Sequence, residues 1–284
     1  MKPAEHDNKC RELVRMALEE DLGSEGDVTS QAVFSDEKGS FLLTAKDHGV
    51  LCGTEVFQEV CRQVDETIKA EFFCQDGQSI ESQTVIAEIS GPVVSVLTAE
   101  RTAVNFLSFL SGIATSARRF ADQASSTNAV ILDTRKTLPG YRALSKYAVT
   151  CGGAENHRHG LYDMVLIKDN HIDAAGSITE AVRRVREIWG DRFAVEVETR
   201  NLDEVAQAIA CKADRIMLDN MDAELMSRAV ALVQGKAEVE ASGNMTLQRI
   251  EEVGKTGVDF ISVGEITHSV KAFDVSLRKK GGGT

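Results

Sequence analysis

Two rhythms of apolar and polar positions divide the chain near residue 128. Before it, apolar residues at helical spacing (Leu13, Met16, Ala17) predict an amphipathic helix over 9–22, ended at Leu22-Gly23. Short alternating runs at 40–45, 70–73 and 84–89 predict strands, with a helix over 53–64 between the first two. Ser90-Gly91-Pro92 reads as a break, and a long helix is expected to start at Thr98, its side chain capping the end and Glu100 in the first turn. After residue 128 a different unit repeats: a short β-rich apolar run, a polar or Gly residue, then an amphipathic stretch. The runs lie at 129–132, 164–167, 193–197, 215–218, 237–241 and 259–263. Strand–helix alternation at this spacing implies parallel strands with right-handed crossovers, a barrel-like arrangement whose chemistry gathers where strands give way to loops.

Those loops carry the chemistry. The runs hand over in turn to Asp133-Thr134-Arg135-Lys136, to Lys168, to Glu198, to Asp219, to Ser242-Gly243-Asn244 and to Gly264. Polar residues follow strands in any protein, so one acidic strand end decides nothing. Ends carrying Arg-Lys, Lys, Glu, Asp and Ser-Gly-Asn together are hard to reconcile with loop polarity alone.

Composition changes this picture in one respect. The 284 residues are 43% hydrophobic and 27% charged, an ordinary globular balance, with a net charge of −12 that disfavours nucleic acid and anionic membranes as partners. Residues 133–171 run the other way: six Lys/Arg face four acids, a local +2 that leaves −14 elsewhere. A cationic island in an acidic chain suits a focused anion site. Residues 1–7 are polar and no run approaches the roughly 18 apolar residues of a membrane span, so the expectation is a cytoplasmic protein. The six cysteines show no CxxC or Cys/His metal spacing and read as reduced packing residues, Cys151 included. Gly281, Gly282 and Gly283 read as a frayed tail.

Three groups of side chains define the candidate site. Arg135, Lys136, Arg158 and Lys168, with His157 and His159 beside Arg158, are cations whose mutual repulsion calls for a polyanionic ligand, and Arg engages carboxylates bidentately. Arg142 and Lys146 fit either this group or a solvated helix face. Glu198 and Asp219, on neighbouring strand ends, suit a hydrated Mg²⁺ shared with substrate phosphates; Glu196 shares Glu198's strand face and is a further member or a partner for Lys168. Ser242-Gly243-Asn244 and Ser262-Val263-Gly264 precede helical stretches and present backbone N–H groups to a phosphate.

Quoted together, EDLG (20–23), GDVTS (26–30), TAERTA (98–103), SGIAT (111–115), DTRKTLPGYRALSKY (133–147), NHR (156–158), LIKDNH (166–171), VEVE (195–198), LDN (218–220), EASGN (240–244) and ISVG (261–264) closely resemble the quinolinate phosphoribosyltransferase family over nearly the whole chain. The resemblance implies an α/β fold: an open α/β barrel at 98–265 and an N-terminal α/β sandwich at 1–97, on which 266–284 packs. It implies that quinolinate and phosphoribosyl pyrophosphate give nicotinate mononucleotide, pyrophosphate and CO₂ with Mg²⁺, in NAD biosynthesis. It assigns substrate binding to Thr134, Arg135, Lys136, His157, Arg158, Lys168, Glu198, Asp219, Ser242, Gly243, Asn244, Ser262, Val263 and Gly264, with Lys136, Lys168, Glu198 and Asp219 catalytic and the two acids meeting the metal through water. Arg101 is implied to enter a neighbouring subunit's site, hence a homodimer. Ala154 departs from the family's third Gly after Gly152-Gly153, and Glu265, an acid after Gly264, must point away from a phosphate. Three other functions compete: a Schiff-base aldolase using Lys168, a divergent relative associated with metal transport, and a transferase for the mono-acid nicotinate.

Overall fold

The computed structural model describes residues 3–281, with side-chain placement from residue 8; of the expected tail, Gly282 and Gly283 lie outside the described residues. Two compact units emerge. One combines residues up to 118 with 138–153 and the stretch from 270 on; the other holds 119–137 and 154–269. The first unit thus takes two helical segments, up to 118 and at 138–153, that sequence reading placed in the barrel.

The first unit is built on a four-stranded antiparallel sheet. Helix α1 (Pro3–Leu22) and the short α2 (Val28–Val33) precede strand β1 (Lys38–Ala45), and a two-stranded pair, β2 (Gly49–Val50) and β4 (Ser79–Ile80), flanks α3 (Thr54–Val64) and β3 (Lys69–Phe72). Strand β5 (Val85–Pro92) lies between β1 and β3, and the last strand of the chain, β12 (Val275–Lys279), pairs with the other edge of β1. Alternation in β1 buries Phe41, Leu43 and Ala45 on one face of the sheet.

One expectation about this unit is corrected. No break follows residue 90: β5 continues through Gly91 and Pro92, and helix α4 (Val93–Ala124) starts at once. Pro92, with no N–H to lose and φ already near the helical value, suits that junction. Thr98 therefore lies inside α4, and its hydroxyl donates to Asp27 Oδ2 at 3.3 Å. Asp27 in turn caps a different helix, α2, accepting from the N–H groups of Thr29 (3.1 Å) and Ser30 (2.9 Å). Those bonds, led by Ser30, hold its carboxyl below the usual range. A lowered pKa stabilises the fold above the unfolded value of 3.8 and is lost as pH falls through the folded one. Asp27→Ala is expected to cost about 1 kcal/mol at neutral pH, shrinking towards nothing near pH 2, as read by urea unfolding. An equal loss at both pH values would contradict the capping account.

At 32 residues, α4 is also long and apolar enough to cross a membrane, the one such helix among the described residues, which corrects the expectation that no stretch comes close. Half of its most apolar window is buried within the protein, and Ala103, Leu107, Leu110, Ile113 and Ala114 are core residues.

The second unit is a six-stranded, wholly parallel sheet in the order β6 (Val130–Leu132), β11 (Phe260–Ser262), β10 (Glu238–Ser242), β9 (Arg215–Asp219), β8 (Val195–Thr199), β7 (Val165–Ile167). All six predicted runs supply these strands. Helices α6 (Asp169–Ala175) and α7 (Ile178–Trp189), α8 (Leu202–Ala210), α9 (Ala223–Val233) and α10 (Leu247–Gly254) make the crossovers, and the four-residue α11 (Glu265–His268) follows β11. Strands β6 and β7 do not pair, so the barrel is open there; Glu155 adds a single parallel bridge to Leu132. Helix α5 (Arg142–Cys151), between β6 and β7 in sequence, belongs to the first unit. Strand β8 is buried along its whole length, as parallel strands covered on both faces are.

Candidate active site

The C-terminal ends of the six strands surround a cavity of about 490 Å³. Lining it are Thr134, Arg135 and Lys136 after β6, His157 and Arg158 from the segment following Glu155, and Lys168 after β7. Glu198 in β8, Asp219 in β9, Ser242, Gly243 and Asn244 at the end of β10, and Ser262 in β11 are the other expected residues found there. Three expected residues fall elsewhere. Val263 is fully buried and its N–H donates to the Leu132 carbonyl at 2.9 Å, so that group is spent on the sheet and does not face the cavity. Gly264 lies behind the stem of Lys136, where a Cβ would sit 3.2 Å from Lys136 Cδ. Arg101 is exposed on α4 in the first unit. Lys146 is buried, with 1% of its surface exposed, and is no solvated-face residue. Glu265 is exposed and outside the lining, as its charge requires.

Positive charge dominates one wall. The Arg135 Nε is buried with no hydrogen-bond partner among the described residues. Arg158 donates to the Met164 carbonyl at 3.1 Å; burial first, and then the neighbouring charge of Arg135, lower its pKa. Two neighbouring guanidiniums, one with an unsatisfied N–H, form a wall suited to an anion. Lys168 Nζ, also lining the cavity, lies 3.4 Å from Glu198 Oε2. Half of that lysine side chain is exposed, which is unlike the desolvated amine a Schiff-base enzyme requires.

Beneath the cavity floor lies a cluster that sequence reasoning half missed. Glu196 pairs with His157, not Lys168: its Oε2 is 3.1 Å from Nε2, and Glu240 Oε2 is 3.4 Å from the same nitrogen. Both carboxylates are fully buried. Arg215 reaches Glu240 at 3.2 Å, and Ser262 Oγ donates to its other oxygen. Burial and the charge of Glu240 hold the Glu196 carboxyl above the usual range. For His157, burial is the largest influence and lowers its pKa, but the two carboxylates outweigh it and raise it to about 9. Against a second ring proton stands the Arg158 backbone N–H, which donates to Nδ1 at 2.7 Å. A nitrogen that accepts carries no proton, so the geometry holds the ring with its hydrogen on Nε2, towards the acids. Asp133, fully buried, fixes the backbone here by accepting from His157 N–H at 2.8 Å. The available signal for Glu240 was positional: like Glu196, it sits two residues before a strand-end site residue.

The remaining rim is a backbone turn. Asn220 and Asn244 both adopt positive φ, and Gly243 has φ +93°. Asn220 N–H donates to the Ser242 carbonyl at 2.9 Å, and Asn244 Nδ2 to Asn220 Oδ1 at 3.2 Å. A Cβ on Gly243 would sit 2.2 Å from Asn220 Oδ1. Gly243→Ala is therefore expected to push the two turns apart and raise the KM for a phosphate-bearing substrate at least tenfold, with little change in the KM of a substrate held at the Arg wall. Equal shifts in both would place the turn's role elsewhere.

Sequence comparison extends these observations. A model of the quinolinate phosphoribosyl transferase C-terminal domain matches residues 113–278, and one of the N-terminal domain matches 27–111. The chain belongs to the quinolinate phosphoribosyltransferase family. Among its relatives is the chloroplastic nicotinate-nucleotide pyrophosphorylase (carboxylating) of Arabidopsis thaliana, 42% identical over 98% of this chain and 85% of that protein. A probable enzyme of the same name from Bacillus subtilis is 39% identical over 95% and 93%. The solved nicotinate-nucleotide pyrophosphorylase of Francisella tularensis superposes with a TM-score of 0.91 at 43% identity, covering 96% of each chain. The family members' open barrel with an N-terminal domain is thus the fold of this chain.

Proposed function

We propose that this chain transfers the phosphoribosyl group of 5-phosphoribosyl 1-pyrophosphate to quinolinate with decarboxylation, yielding nicotinate mononucleotide, pyrophosphate and CO₂, a step of NAD biosynthesis. One observation carries the reading: Arg135, Arg158, Lys136 and Lys168 meet in a single cavity whose other rim is the Asn220–Gly243–Asn244 turn. A diacid beside a sugar phosphate supplies the negative charge that wall lacks; the mono-acid nicotinate supplies one carboxylate fewer. The names of relatives near 40% identity over nearly the whole chain support the same reaction.

In this reading Arg135 and Arg158 orient the two carboxylates, with His157 holding the Arg158 backbone through Nδ1, leaving the pyridine nitrogen free to attack the anomeric carbon. Lys136 and Lys168 lie where the charge of the departing pyrophosphate develops. Glu198 and Asp219 face the ribose and its developing positive charge, while Ser242, Gly243 and Asn244 hold phosphate, Ser262 being engaged by Glu240. Glu198 and Asp219, two carboxylates lining one cavity, would hold a Mg²⁺ that keeps part of its water shell. When bound, the ion neutralises charge on the leaving group. The His157–Glu196–Glu240 group is a poorer fit, because Arg215 and Ser262 already engage Glu240. Once the nitrogen is quaternary, the ring accepts the electrons released with the 2-carboxylate.

A homodimer with Arg101 reaching the partner's site is part of the proposal, supported by the exposure of Arg101 on α4. So is a cytoplasmic location, supported by six cysteines outside any disulfide. Incubation with quinolinate, phosphoribosyl pyrophosphate and Mg²⁺ is expected to release CO₂ and mononucleotide in equal amounts, with chelation stopping both. Turnover of nicotinate in place of quinolinate would overturn the assignment, and a monomer at assay concentration would remove the role of Arg101.

A further inference from the structure

Away from the anion site, the first unit assembles a second reactive cluster. Cys52, Asp76 and Cys151 place their sulfur and oxygen atoms within 4.8 Å of one another, though Cys52 precedes α3, Asp76 follows β3 and Cys151 ends α5. The two sulfurs are not bonded. Asp76 already has work: its carboxylate accepts from Gly53 N–H (3.0 Å), Thr54 N–H (3.1 Å) and the Tyr147 hydroxyl (2.8 Å), anchoring the start of α3. That leaves the thiols as the chemically available pair.

Their positions are held. A Cβ on Gly152, the residue after Cys151, would lie 2.4 Å from the Ala114 carbonyl, so the end of α5 presses directly on α4. Their surroundings differ in the way a thiol-exchange pair requires. Cys52 is fully buried, whereas Cys151 is half-buried and can be reached from solvent. Hydrogen bonding from Cys52, aided by Tyr147 and opposed by burial and Asp76, lowers the pKa of Cys151. The contact with Cys151, together with burial, raises that of Cys52. An accessible sulfur that ionises more easily beside a buried one that stays protonated separates an attacking from a resolving thiol.

We propose that Cys151 and Cys52 form a redox-active dithiol that exchanges with small-molecule disulfides, Cys151 attacking and Cys52 resolving. In the first step the Cys151 thiolate forms a bond to one sulfur of the disulfide RSSR; its S–S bond breaks and RS⁻ departs. In the second, the Cys52 sulfur attacks the Cys151 side of the mixed disulfide and expels the second RS⁻. The two thiol protons end on the two RS⁻ groups, so the protein dithiol is oxidised by two electrons and RSSR is reduced to two RSH. The resulting bond ties the end of α5, from which the chain runs on to His157 and Arg158, to the loop ahead of α3.

The test uses the full chain equilibrated with oxidised glutathione, then denatured, alkylated and peptide-mapped. Wild type is expected to lose two of its six alkylatable thiols, to yield a linked Cys52–Cys151 peptide, and to recover all six with dithiothreitol. Cys52→Ser is expected to trap a stable glutathione adduct on Cys151, and Cys151→Ser to leave Cys52 unmodified. Retention of both thiols in wild type, a bridge involving Cys10, Cys74 or Cys211 instead, or an unmodified Cys151 in Cys52→Ser would each overturn the proposal. The wild-type measurement depends on no variant folding.

Discussion

Arg135→Ala is expected to lower kcat/KM for quinolinate by roughly 10²–10³-fold, or about 3–4 kcal/mol of transition-state stabilisation. The buried Nε without a partner and the mutual destabilisation of Arg135 and Arg158 mean that the free protein holds this pair at a cost that a dianion relieves. The same reasoning predicts an asymmetry. Without ligand, the variant should unfold at a temperature no lower than wild type, because a repulsive neighbour of Arg158 has gone. Arg135→Lys restores charge but not the planar fork and should recover only a small part of the activity. Wild-type kcat/KM in Arg135→Ala, measured in steady state with saturating phosphoribosyl pyrophosphate, would sink the anion-wall account.

The second large effect is on stability. Arg215 holds Glu240 at 3.2 Å and Glu238 at 2.8 Å, and its guanidinium lies 4.0 Å above the Phe260 ring. Arg215→Leu leaves Glu240 and Glu196 buried near one another with no permanent cation of their own. Removing one partner from a buried charge group typically costs about 3–5 kcal/mol, a fall in Tm on the order of 10 °C for a protein of this size. The double variant Arg215→Leu/Glu240→Gln should regain part of that loss, since it removes the stranded charge as well. If the double variant is as unstable as the sum of the two singles in urea unfolding, the Arg215–Glu240 pairing is not what stabilises this floor.

Both predictions rest on residues that the sequence revealed unequally. Arg135 and Lys168 stood out because each follows an apolar run at a strand end, Arg158 because it adds to the positive charge between them, and the cavity gathers all three. Glu240 did not, since a glutamate inside a short strand looks the same whether it faces solvent or a histidine. Val263 looked like a phosphate ligand because it adjoins a glycine, yet the β11–β6 ladder claims its N–H. The start of α4 was misplaced by five residues for a related reason: Gly-Pro usually interrupts structure, but here the proline ends one element as the next begins.

The sequence by itself determined the periodic features, namely six β-rich runs, their intervening amphipathic helices and the concentration of positive charge between residues 133 and 171. These are legible because side-chain spacing repeats with the local backbone geometry, and a strand's end is marked within a few residues of itself. Only the tertiary structure decided which distant side chains meet: His157 with Glu196 and Glu240, Arg215 with Glu240, Cys52 with Cys151. Those encounters depend on strand order, register and helix packing summed over the whole chain, and a burial that turns a glutamate into part of a charge cluster leaves no mark on its immediate neighbours.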